Sequence, residues 1–128
     1  MGQQQLLLIV LGVIVVGIAI VVGINLFNAN AISSNRDGVV SDLNNLAAMA
    51  QQYYKKPTSM GGGGNSFVGW TIPPALDTTA NGVYTISSTG TVDSVQIQGV
   101  GTELADGTNY VTAKIGVTPS IVKTYITH

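Results

Sequence analysis

Hydrophobic and polar positions divide the chain into three stretches of different periodicity. Residues 6–24 read LLLIVLGVIVVGIAIVVGI, without a charge or strongly polar side chain. At ~1.5 Å of rise per residue, such a run is about the length an α-helix needs to cross a bilayer core. From residue 25 the pattern changes. Ile32, Val39, Leu46 and Tyr53 recur every seven residues, Leu43 and Ala50 fall between them, and Val40, Ala47 and Tyr54 widen the stripe. That is one apolar face of an amphipathic helix. The opposite face carries Asn35, Arg36, Asp37, Ser41, Asp42, Asn45 and Gln52, and Gly38 is a soft point in it. Pro57 ends the run, because the residue before a proline disfavours helix. The spacing predicts one helix from about residue 2 to residue 55, apolar all round in its first half and on one side in its second. A coiled coil is the rival for the second half, but three heptads with few flanking charge pairs support it weakly.

After the helix, Met60-Gly61-Gly62-Gly63-Gly64-Asn65 reads as a flexible loop. It is not a phosphate cradle, since no Lys-Ser/Thr follows and no strand precedes it. Phe67 to Ile72 reads as a short strand or as an aromatic patch docking on the helix, closed by Pro73-Pro74. From Asn81 the period is two. Residues 83–88, 91–98, 109–117 and 120–127 alternate apolar and polar positions and are rich in Val, Ile, Thr and Tyr. Ser88-Thr89-Gly90 is expected to form a tight hairpin turn, Ala105-Asp106-Gly107-Thr108 another, and Thr118-Pro119 joins the last two strands. The face bearing Val111, Ala113, Ile115 and Val117 should cover the helix stripe. The predicted fold is α+β: one long N-terminal helix with an antiparallel sheet of about four strands packed on its C-terminal half. The chain divides accordingly into an apolar helix half (1–25), an amphipathic half (26–57), a Gly/Pro-rich connector (58–80) and a sheet head (81–128).

Composition narrows the function. The chain has 128 residues, which allows one globular domain. Charged residues are 9% of the chain and the net charge is −1, which leaves no basic footprint for nucleic acid. There is no cysteine, so neither disulfides nor thiolate chemistry is available. The apolar run is too long for a signal-peptide core and has no Lys or Arg before it; the first positive charge is Arg36. A short basic leader already removed would account for the missing flank. The one histidine, His128, is terminal, and no paired carboxylates or Ser-His-Asp set stand out, so no catalytic, cofactor or metal residues are assigned and an enzyme is not expected. Asp106-Gly107 with Glu103 reads as a plain turn ahead of a calcium loop, the spacing matching no EF-hand. Phe27, Tyr53 and Tyr54 read as packing aromatics rather than an electron path.

A short polar lead, Gly2-Gln3-Gln4-Gln5, comes before a Leu/Ile/Val/Gly/Ala run. An amphipathic continuation follows, from Asn35-Arg36-Asp37 through Asp42-Leu43-Asn44-Asn45-Leu46-Ala47 to Gln52-Tyr53-Tyr54. Over roughly residues 1–57 this resembles the helix of type IV pilins and related pseudopilins; the sheet is similar only in architecture. The resemblance implies a major pilin that polymerises through its apolar helix into an extracellular pilus, a fimbrium of the kind used in cell adhesion or motility. It would be held in the inner membrane before assembly, processed by a prepilin peptidase and handled by pilus assembly machinery. The alternatives are a pseudopilin of a type II secretion-type pseudopilus and a single-span membrane-anchored binding domain. The chain departs from the family in having no glutamate at the fifth mature position. Gln5 stands there if Met1 is the mature terminus, and Leu7 if cleavage follows Gly2. The family's helix-loosening proline is also absent, a role Gly17 or Gly23 could take. The expected filament-core positions are Gln5, Leu6, Leu7, Leu8, Leu11, Ile14, Val15, Ile18 and Val22. The expected helix–sheet packing positions are Ile32, Val39, Leu43, Leu46 and Tyr53.

Overall fold

Helix α1 runs from Gly2 to Lys55 without interruption in the computed structural model, which describes residues 2–128. The chain divides into two units, Met1–Ala31 and Ile32–His128. In the first, every side chain from Gly2 to Asn30 is exposed. In the second, the amphipathic part of α1 is followed by a 3-10 turn at Thr58–Met60 and four strands: β1 (Gly82–Ser88), β2 (Val95–Leu104), β3 (Tyr110–Val117) and β4 (Val122–Ile126). They form one antiparallel sheet in the order β1-β2-β3-β4, so each strand pairs with its sequence neighbour. The fold is α+β, a helix packed on one face of a four-stranded sheet.

The core forms where the helical and strand periods meet. Val39, Leu43, Leu46, Ala47 and Ala50 of α1 are buried against Tyr84 of β1, Val95 and Ile97 of β2, and Val111, Ala113, Ile115 and Val117 of β3. The core face of β2 continues as Gly99 and Gly101. A Cβ at Gly99 would lie 2.8 Å from both the Tyr84 ring and Val39 Cγ1, and one at Gly101 would collide with the Asn35 side chain. Glycine at these two positions lets the helix approach the sheet closely. β4 lies outside this core, and all five of its residues are exposed.

Four local expectations need correction. The Gly61–Gly64 stretch is a folded cap rather than a flexible loop. The last carbonyls of a helix lack intrahelical donors, and the loop turns back to supply them. Gly63 N–H donates to the Tyr53 carbonyl (2.8 Å), Asn65 N–H to Tyr54 (2.7 Å) and Gly64 N–H to Lys56 (2.9 Å). The β1–β2 connection is not a tight turn at Ser88-Thr89-Gly90. It runs to Ser94, where Thr91 N–H donates to the Ser94 carbonyl (2.8 Å) and the Thr91 hydroxyl accepts from Ser94 N–H (3.1 Å). A threonine that satisfies local backbone in this way favours a turn over a strand, so β2 starts at Val95 instead of Thr91 and extends to Leu104. Gly38 does not soften α1. It sits under Asn81, whose Oδ1 would be 2.5 Å from a Cβ placed there. Asn35 and Asp42, assigned above to the solvent face, instead meet the sheet and connector. Of the two readings of residues 67–72, the aromatic patch is the one observed. Phe67 and Trp70 are buried, and the Phe67 ring lies 4.9 Å from that of Tyr54.

Candidate functional site

Two surfaces carry the residues singled out from the sequence, one in each unit. In the first unit Gln5 is exposed, and so are Leu6, Leu7, Leu8, Leu11, Ile14, Val15, Ile18 and Val22, with fractional exposures from 53% (Ile14) to 69% (Leu7). At 3.6 residues per turn a run of this length places apolar side chains at every angle around the axis. No side of it is polar. The segment is long and apolar enough to cross a membrane, and none of its most apolar window is buried. Gly17 and Gly23 lie inside unbroken helix, with no heavy atom beyond the adjoining helix backbone within 4 Å of where a Cβ would be.

The second unit brings the predicted packing residues together. Val39, Leu43 and Leu46 are buried, while Ile32 and Tyr53 are half-buried against the same core. The Tyr53 hydroxyl donates to the Val68 carbonyl at 2.8 Å, tying the helix end to the aromatic patch.

Periodicity missed two polar clamps beside this core. Asn35 is buried. Its Nδ2 donates to the Asn81 carbonyl (2.8 Å) and Thr102 Oγ1 (3.3 Å), and its Oδ1 accepts from the backbone N–H groups of Thr102 (3.1 Å) and Glu103 (3.3 Å). This satisfies nearly the full capacity of a buried amide. Asp42 Oδ2 accepts from the Tyr84 hydroxyl (2.6 Å), Thr79 Oγ1 (2.8 Å) and Asn81 Nδ2 (3.1 Å). Burial pushes the Asp42 carboxyl up, but the hydrogen bonds from Tyr84, Asn81 and Thr79 together outweigh it and hold the group below the usual carboxylate range. Burial and then the Asp42 hydrogen bond push the Tyr84 phenol well above its ordinary value. The partners lie 37 to 46 residues away in sequence for four of these bonds and 67 or 68 for the three to β2, so no local spacing announces them. The only sequence signal is the presence of Asn and Asp close to an apolar stripe.

In both clamps the hydrogen bonds tie the helix to the sheet and to the connector before it. Asp106 serves its own turn, accepting from Asn109 N–H (2.7 Å), the Asn109 side chain (3.1 Å) and Thr108 N–H (3.0 Å). These bonds, led by the one from the Asn109 backbone, lower its pKa to about 2. Among the described residues no group of three His, Asp or Glu side chains converges to hold a metal ion. Compared with protein-family models, curated proteins and solved structures, the chain matches none. The exposed apolar helix surface is therefore the candidate functional site.

Proposed function

We propose that this chain is the structural subunit of an extracellular, type IV-like pilus, held in the membrane by its apolar helix and polymerised through that same helix. The supporting observation is the surface of residues 6–24, apolar at every angle and uncovered within the chain. Monomeric soluble proteins rarely expose apolar patches beyond ~600 Å². A surface of this kind needs lipid or other copies around it, at ~25 cal/mol for each Å² removed from water. Lipid covers it before assembly, and the equivalent helices of neighbouring subunits cover it afterwards. Repeating one head-to-tail contact that does not close generates a helical filament. The unbroken passage of α1 from the apolar stretch into the sheet-packed stretch favours this reading over a simple anchor, which has no need of a continuous helix between membrane and domain.

The test is electron microscopy of material sheared from cells producing the chain, comparing the native sequence with Leu11→Asp and Val15→Lys. Native chains should give filaments, and both variants should give none while their sheet units keep native Trp70 fluorescence. Filaments from either charged variant, or a native chain that stays singly dispersed in membrane, would overturn the reading.

A further inference from the structure

The strand registers assemble a surface that composition alone does not suggest. Gln96, Gly116 and Lys123 stand opposite one another across β2, β3 and β4, and Gln98, Lys114 and Tyr125 form the next row. Core residues occupy the alternate positions of β2 and β3, and Lys123 and Tyr125 pair with Gly116 and Lys114, so all six side-chain sites lie on the face turned away from α1. Gly116 leaves a step in that face; the nearest side-chain atom to a Cβ placed there would be Tyr125 Cε2, at 3.9 Å. The step opens into a hollow of about 290 Å³, whose walls include Ser94, Gln96, Thr118, Lys123 and Tyr125. That is at the small end of ligand sites, which begin near ~300 Å³.

We infer that this hollow binds one anionic sugar residue of an acidic polysaccharide. The two rows contain two lysines and no acidic residue, and among the described residues neither lysine forms an ion pair. A cationic face on a chain of net charge −1 selects a negatively charged ligand, with Lys123 meeting its carboxylate or sulfate. Tyr125, 54% exposed, offers an aromatic face to the weakly polarised C–H face of a pyranose. The amide of Gln96 in the hollow's wall can both donate to and accept from ring hydroxyls. A nucleic acid strand is less well served, because it needs successive stacking platforms and a longer cationic track. The inference does not depend on filament formation, since the face belongs wholly to the sheet unit.

Isothermal titration of the full chain in detergent micelles with an alginate-derived uronate tetramer tests it, with the neutral glucose tetramer cellotetraose as comparator. The uronate should bind with a Kd of about 0.1–1 mM in low salt and the neutral tetramer at least ~10-fold more weakly. Lys123→Gln should weaken uronate binding ~10-fold, Gly116→Leu should abolish it by filling the hollow, and Thr85→Ala, on the same face but outside the hollow, should leave it unchanged. Lys123→Gln sits on an exposed strand and keeps the test decisive if Gly116→Leu fails to fold. Equal affinity for the neutral tetramer, no binding at ~10 mM, tighter binding of oligothymidylate, or an unaltered Kd in Lys123→Gln would each overturn the proposal.

Discussion

At the residue scale the two clamps show how far a helical wheel can be trusted. Asn35 and Asp42 fall on the polar side of the heptad pattern, yet both are held by groups far away in sequence. The stripe of Val39, Leu43 and Leu46 was legible because burial of apolar side chains imposes a period. A single polar residue at the stripe's margin has no period, and its environment depends on a chain segment that arrives from elsewhere. The energetic consequences are testable, with buried Trp70, the one tryptophan, as the probe. Asp42→Ala removes the acceptor for three donors and should destabilise the sheet unit by about 2–3 kcal/mol; Tyr84→Phe should cost about 1–2 kcal/mol. Because the two share one bond, the double variant should lose less than the sum of the single losses. The pH dependence follows from the lowered folded-state pKa of Asp42. The folded state then binds fewer protons than the unfolded state in the acid range. The carboxylate's contribution is complete above its unfolded pKa of ~3.9 and is lost as pH falls through the folded value. Urea titrations of the native chain should show this acid decline, and Asp42→Ala should reduce it, leaving the share that Asp106 contributes through its own lowered pKa.

At the scale of elements, long periodic segments were readable and short irregular ones were not. The α1 limits and the pairing of four successive strands follow from apolar spacing, Pro57 and the Asp106-Gly107 turn. The β1–β2 connection misleads because Ser88-Thr89-Gly90 has the composition of a tight turn, while the actual turn is organised by hydrogen bonds exchanged between Thr91 and Ser94. The glycine stretch misleads in the opposite sense. Consecutive glycines suggest mobility, but at Gly63 the backbone passes so close to the Ser66 carbonyl that a Cβ would collide with it. Glycine is there for proximity, which lets Gly63 N–H reach the Tyr53 carbonyl. Gly63→Ala should therefore cost about 1–3 kcal/mol, and amide exchange at residues 63–65 should accelerate selectively. Gly61→Ala, where no atom stands within 4 Å of the new Cβ but φ is +82°, should cost closer to ~1 kcal/mol.

For the whole molecule, the decisive question is what surrounds residues 6–24. Lipid and sister helices are equally apolar, so hydropathy cannot distinguish them; proximity between copies can. The chain has no cysteine, so one introduced thiol reports without background. Helices packed side by side lie ~8–10 Å apart, and side chains on facing surfaces can bring two Cα atoms within the ~7 Å a disulfide tolerates. A scan of the consecutive single variants Val13→Cys, Ile14→Cys, Val15→Cys and Val16→Cys steps ~100° around the axis per residue and so samples every side of the helix. In assembled material, mild oxidation should give covalent dimers at some of these positions and none at others, with the reactive set following the 3.6-residue period. Thr85→Cys, on the outer sheet face, should stay monomeric, as should every variant dispersed in excess detergent. A membrane anchor without self-association gives instead only sparse cross-links, falling to nothing as the lipid-to-protein ratio rises and showing no angular preference. An angular pattern that survives dilution requires a fixed neighbouring copy of this helix, which an isolated anchor does not have.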